Sequence, residues 1–230
     1  MMSRLRLFSE SISSLWLMLV THWPGPPGNW LRYVYWKRRL KFLGKNVLLD
    51  TGIYFQNPKF IEIHDNCWID RNVAILAGLD SSKRERIVKA NKCYPGLPGV
   101  VHIGENVHVG PGCILSGISA GIYISDDCGI SANSKLYAFS HHYRSKKSPA
   151  DMNCHFGPQV SHERQTLIEG AIYIGKNTGI ALNSVILPGA SIPGNCFVAL
   201  NSVVSGEALE ANSILSGNPA KCIGKRFRDH

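Results

Sequence analysis

An aliphatic residue recurs at every sixth position along one long run: Ile168, Ile174, Ile180, Ile186, Ile192, Val198 and Val204. The next residue after each is mostly small (Glu169, Gly175, Ala181, Leu187, Pro193, Ala199, Ser205), and so is the fourth (Ile172, Thr178, Ser184, Ala190, Cys196, Ser202, Ala208). A helix requires a period of about 3.6 residues and a lone strand one of about 2. A period of six, with one bulky and one small inward position, describes a flat strand that ends in a corner. Three such strands close a triangular coil. Coils then stack, with bulky side chains in interior ladders and backbone hydrogen bonds between coils. Asn and Gly fall at the corners ("GKN", "ALN", "PGN"), where left-handed backbone angles are needed. A β-sandwich of short strands does not hold a strict six-residue step. The expected fold class is therefore all-β, a parallel β-helix of hexapeptide repeats.

Upstream the rhythm is looser: Leu43, Leu49, Phe55; Ile63, Ile69, Ile75; Ile103, Val109, Leu115; Ile124, Ile130, Leu136. Two stretches between these runs carry no such rhythm, 78–100 and 139–166, and must leave the coil. The expected organisation is an N-terminal segment 1–42, a coil domain 43–208 with those two loops, and a closing segment 209–230. A tail from Leu209 would cover the last coil, because an open β-edge invites aggregation.

The formal net charge is +9, and most of it lies at one end. Residues 1–45 hold Arg4, Arg6, Arg32, Lys37, Arg38, Arg39, Lys41 and Lys45 against one acid, Glu10. The stretch "ISSLWLMLV" (12–20) has the outline of a signal peptide, but no small-residue cleavage site follows. It is also far short of the ~20 apolar residues of a membrane span. Residues 3–22 read as a short amphipathic helix ended by the Pro-Gly cluster at 24–28. One reading folds this helix onto the protein's own core. The other lays it on a membrane surface, helped by the basic cluster and by Trp16, Trp23, Trp30 and Trp36. The expected location is cytoplasmic, peripheral at the inner membrane surface under the second reading. Seven cysteines with no C-x-x-C pair fit a reduced protein. Cys67, Cys113, Cys128 and Cys196 share the small repeat position.

Three stretches give the chain a family resemblance. They are "IYIGKNTGIALNSVILPGASIPGNCFVALNSVVSG" (172–206), "ILSGNPAKCIG" (214–224) and "ISANSKLYAFSHHYRS" (130–145). The chain resembles the hexapeptide-repeat acyltransferases, built on a left-handed parallel β-helix, and most of all their sugar and polysaccharide O-acetyltransferases. The resemblance covers about 43–226. It implies a homotrimer with active sites between subunits and acetyl-CoA as acyl donor, lying along the outer coil surface of 170–205. A pantetheine arm needs a groove of small side chains and accessible amides, for which Ala181 and Ala199 are candidates. Asn218 belongs to the matching "GNPAK" motif. Lys221, Lys225 and Arg226 are candidates for the CoA phosphates. There are departures. Gly179 stands where the family often has Trp, "ISDD" (124–127) replaces "IGDN", and His142 replaces an Asp after the histidine.

Acetyl transfer from a thioester to a hydroxyl needs a group to take the hydroxyl proton, donors for the oxyanion, and a proton for the thiolate. One neutral histidine serves the first and third needs, and backbone N–H groups serve the second. No metal is required. "SHHY" aligns with the family's "S-H-D-Y" through His141, the candidate base, with His142 as the alternative. Asp126 or Asp127 is a candidate carboxylate partner and Asn133 a candidate positioning group. Arg144, Lys146 and Lys147 read as a solvated loop or as contacts for an anionic acceptor.

Two rivals remain. A γ-type carbonic anhydrase needs three histidines around zinc; His102 and His108 lie on adjacent faces of the triangle, with His141 as the third. A non-catalytic scaffold would use the repeat for assembly only. Nucleic acid is a poor partner, because the basic residues cluster at one end without a reading motif. The basic, Trp-rich N-terminal region points to a large or membrane-linked saccharide acceptor.

Overall fold

A computed structural model describes residues 4–206 and 210–228, with side chains from residue 13 onward. Ala208 and Leu209, and the side chains of Arg4, Arg6 and Glu10, lie outside the described residues.

The chain forms a left-handed parallel β-helix. Its first face stacks Phe42–Leu43, Ile61–Ile63, Val101–Ile103, Ile122–Ile124, Ile172–Ile174 and Ser191–Ile192 as parallel rungs. The interior ladder of this face is Leu43, Ile63, Ile103, Ile124, Ile174 and Ile192. The second face carries Leu49, Ile69, Val109, Ile130, Ile180, Val198 and Leu215, and the third Phe55, Ile75, Leu115, Leu136, Ile186 and Val204. None of these is more than 6% exposed. One residue of the sixfold run departs: Ile168 is half-buried in a separate small sheet, opposite Ser140 and Ile87, and belongs to no ladder.

The small repeat position has a chemical reason as well as a steric one. Its hydrogen-bond donors reach the carbonyls of the next coil: Cys67 Sγ to Gly104 (3.0 Å), Ser134 Oγ to Ala181 (3.1 Å), Thr178 Oγ1 to Pro193 (3.2 Å) and Ser184 Oγ to Ala199 (3.0 Å). Cys, Ser and Thr interchange there because each is small and carries one such donor. Coils approach so closely that a Cβ on Gly175 would lie 2.4 Å from the Gly194 nitrogen. The corners between first and second faces hold asparagines in the left-handed region, among them Asn46, Asn66, Asn106, Asn177 and Asn195. Their side chains bond along the stack, as from Asn46 to Asn66 (3.0 Å) and Asn177 to Asn195 (2.9 Å).

Irregularity gathers at the corner between third and first faces. A single turn, Pro58–Phe60, and the short stretch 117–121 lengthen the early coils there, which is why the upstream rhythm is loose. Both long loops leave from that same corner and meet. Glu85–Val88 of the first loop pairs in parallel with Thr166–Glu169, which pairs antiparallel with Phe139–His142. At the far end, Ser213–Gly217 adds a rung to the second face and Ala220–Lys225 folds back antiparallel on it. That outermost strand carries Lys221 and Lys225, charges that blunt an edge.

Two helices precede the coils, α1 (Arg4–His22) and α2 (Gly25–Lys37), the latter with Pro26 and Pro27 in its first turn. Helix α2 caps the first coil. Trp36 is buried, its ring edge-on to Phe55 at 4.8 Å, so it is a core residue and no membrane anchor. Arg32 is fully buried and donates to the carbonyls of Leu49 (2.7 Å), Trp23 (2.7 Å) and Val20 (3.3 Å). It too drops out of the expected surface cluster. The described part of α1 does not fold onto the core: residues 13–19 are all exposed and Val20 alone is buried. No helix among the described residues is long and apolar enough to cross a membrane.

Candidate active site

The strand Phe139–His142 turns successive side chains to opposite sides, so His141 and His142 part company. His142 Nδ1 donates to the carbonyl of Arg144 (2.8 Å) and its ring lies against Tyr143, a local arrangement that closes the turn. His141 is half-buried, with its Nε2 3.3 Å from Gln165 Oε1 and its ring edge-on to Phe156 at 6.0 Å. Gln165 Oε1 also accepts from Arg84 Nη1 (2.8 Å). Arg84 donates in turn to Ser82 Oγ (2.7 Å) and Asp80 Oδ2 (3.0 Å). Asp80 also holds Arg86 (2.8 Å), whose other nitrogen reaches Glu169 (2.5 Å). Burial alone would raise the Asp80 carboxyl, but hydrogen bonds from Ser82 and Arg84 outweigh it and hold it below the usual carboxylate range. The Asp80 ion pairs with Arg84 and Arg86 therefore persist at neutral pH.

Beside this network lies a cavity of about 200 Å³, lined in part by Asp80, Arg84 and Phe139. Phe139 shares its strand side with His141. The loops are tied by Glu85, which accepts from Thr166 Oγ1 (2.7 Å) and the Lys147 amide (2.8 Å).

The carboxylate candidates lie elsewhere. Asp127 occupies the asparagine corner between first and second faces with φ 59°, accepting from Asn106 (2.9 Å) and paired with Lys176 (3.2 Å). Asp126 caps the Glu105 amide (2.9 Å) at the same corner. Asn133 is also a corner residue, φ 60°, between second and third faces. All three belong to the coil's turning geometry and not to His141. The repeat explains the displacement: residues 126–127 fall one corner away from the one that launches His141. The groups that His141 does meet are Gln165 and, through it, Arg84. Neither was visible in the sequence, where they stand 24 and 57 residues from His141 with no period to connect them.

The CoA-binding candidates divide. The amides of Ala181 and Ala199 are not free, since they donate to Val198 (2.9 Å) and Leu215 (2.8 Å) in the coil ladder. Arg226 is also committed, bonding the carbonyls of Asn177 and Cys196. Asn218 is exposed at the tip of the closing hairpin, and Lys221 and Lys225 are exposed along its outer strand.

Among the described residues, the three histidines of the zinc reading do not converge. His102 pairs with Glu62 (2.9 Å), His108 with Asp70 (2.9 Å), and His141 with Gln165. Among the described residues the group that does converge is Glu62, His64 and His102, and there Glu62 is already paired with Lys41 (2.7 Å).

No family model matches the chain. It is 29% identical over 152 residues, 58% of this chain and 76% of the relative, to a putative lipopolysaccharide biosynthesis O-acetyl transferase, WbbJ, of Escherichia coli strain K12. It is 27% identical over 188 residues, 82% of this chain and 83% of the relative, to a dTDP-4-amino-4,6-dideoxy-D-glucose acyltransferase of Escherichia coli. Its fold matches a point variant of AntD, an N-acyltransferase from Bacillus cereus solved with dTDP and coenzyme A. That match has a TM-score of 0.68 at 25% identity, covering 85% of this chain and 89% of that one. With its sixfold ladders and its closing hairpin, the chain shares the fold of these acyltransferases and is similar to them in sequence.

Proposed function

We propose that this protein transfers an acetyl group from acetyl-CoA to a sugar hydroxyl of a surface polysaccharide or glycan precursor, with His141 as general base. The observation that carries this is His141's position: a half-buried imidazole on a sheet built from both loops, whose strand neighbour Phe139 lines a cavity at the corner where those loops leave the coil. The neutral ring takes the proton as the hydroxyl oxygen attacks the thioester carbonyl. The resulting imidazolium returns that proton to the departing thiolate. Lys221 and Lys225 supply cations for the CoA phosphates.

The relatives include one named for O-acetyl transfer in lipopolysaccharide biosynthesis and one named for acylating an amino-sugar nucleotide. The decisive assay incubates the protein with acetyl-CoA and a panel of glycans and amino-sugar nucleotides, then treats products with mild alkali. An ester is cleaved and an amide survives. An alkali-labile product, abolished by His141→Ala and retained by His142→Ala, supports the reading. Full activity in His141→Ala rejects the base assignment, and an alkali-stable product rejects the hydroxyl acceptor.

The working form we propose is a homotrimer with a neighbour completing each site, resting peripherally on the cytoplasmic face of a membrane. Support for the membrane contact comes from α1. Leu15, Trp16, Leu17, Met18 and Leu19 are each at least 43% exposed, and Lys37, Arg38, Arg39, Lys41 and Lys45 are exposed nearby in sequence.

A further inference from the structure

We propose that Gln165 is the positioning residue for His141, holding the imidazole as its Nε2–H tautomer so that Nδ1 is the nitrogen that accepts the proton. This rests on the reading of His141 as the base. The argument turns on which atoms can donate. Gln165 is 1% exposed, so its amide must be satisfied inside the protein. Its nitrogen donates to the carbonyl of Val160, which can only accept. Its oxygen receives Arg84 Nη1 at 2.8 Å, and a guanidinium can only donate. The amide's two ends are thus identified without reference to the histidine, and no flipped assignment satisfies both contacts. The ring nitrogen 3.3 Å from that oxygen therefore carries a hydrogen. A neutral imidazole has one N–H, so the lone pair lies on Nδ1.

Arg84 is itself fixed, bonded to Ser82 and Asp80 with its side chain 12% exposed. The chain of contacts from Asp80 through Arg84 and Gln165 to His141 thus runs from one loop into the other. The orienting group is a neutral amide backed by a cation, where the sequence pattern led to the expectation of a carboxylate.

The test begins with the unaltered full-length protein. Nitrogen-15 spectra of its histidines, with His141 assigned by its loss in His141→Ala, should show the Nε2–H pattern at neutral pH. In Gln165→Leu the tautomers should mix. CoA release from acetyl-CoA, with a pool of neutral oligosaccharides as acceptor, should fall roughly 10- to 100-fold in kcat, part of what a general base contributes. KM for acetyl-CoA should stay the same. Gln165→Glu keeps an accepting oxygen and should retain the tautomer and more turnover than the leucine variant. An Nδ1–H pattern in the unaltered protein overturns the proposal, and so does Gln165→Leu with unchanged tautomer and turnover. The wild-type spectrum keeps the idea refutable even if a Gln165 variant fails to fold. Loss of turnover in His141→Ala with none in Gln165→Leu would sink the positioning role and leave the base intact. Full turnover in His141→Ala would sink the base itself.

Discussion

Cys67, Cys113, Cys128 and Cys196 occupy the small inward position of the repeat, and burial pushes the first three thiols up to about 11. Since the thiolate is the reactive form, these groups should be inert in the folded protein. Cys93 and Cys222 are exposed and Cys154 is half-buried. In a thiol-reagent titration, Cys93 and Cys222 should react at once and Cys154 more slowly. The other four should react only on unfolding, and early modification of any of them would contradict the packing role. His102 makes a second prediction. Burial lowers its imidazole below the ordinary value despite the opposing pull of Glu62. Burial would raise the Glu62 carboxyl, but hydrogen bonds from Lys41 and His102 outweigh it and lower it. Each group then binds fewer protons folded than unfolded, so stability rises with pH. The His102 contribution is complete above its unfolded value of about 6.5. It is lost as pH falls from there through the lower folded value, and Glu62 adds a further loss in the carboxylate range. Melting temperature should decline as pH drops below about 6.5, and His102→Gln should flatten the first part of that decline.

Among elements, the helical pair hangs on one side chain. Arg32 is fully buried and joins carbonyls of α1, of the interhelical turn and of the first coil. Arg32→Ala leaves those acceptors without a donor and should cost about 3–5 kcal/mol of the stability of this region. Arg32→Lys should not restore it, because a single ammonium cannot reproduce the guanidinium fork. The check is circular dichroism: helical signal should melt earlier than in the parent while strand signal keeps its transition. A single unchanged transition would deny Arg32 this role. The sequence shows α1 through its apolar run and Pro-Gly stop, yet gives no sign that Arg32 and Trp36 turn inward, since charge and aromatic content there suit a surface equally well. The coils are legible because a sixfold period repeats a local rule at every corner. Ile168 kept that period by coincidence of spacing while sitting in another sheet. The loop sheet was hidden for the opposite reason. Pairing Glu85–Val88 with Thr166–Glu169 depends on two departures from one corner, and no local pattern encodes it.

At the scale of the whole molecule, apolar surface needs a cover, and among the described residues nothing covers Leu15 to Leu19 of α1. Five consecutive residues, Leu15 to Leu19, are exposed around the helix, with Trp23 and Trp30 exposed beyond them. Such a run is too large to be scattered surface hydrophobics. A neighbouring subunit or a lipid interface would cover it, and the two differ in what charge does. Subunit packing of an apolar helix is insensitive to vesicle composition. Interfacial binding gains from anionic lipid through the nearby lysines and arginines and weakens with salt. Light scattering coupled to size exclusion should give three chains per particle for the full-length protein. The same particles should co-sediment with vesicles rich in anionic lipid and leave zwitterionic ones in solution. Trp16→Ser with Trp23→Ser should weaken that association while the particle stays trimeric. If the double variant instead falls apart to monomers, α1 is a subunit contact. If the parent ignores anionic vesicles at low salt, the membrane reading is wrong and the acceptor must reach the site from solution.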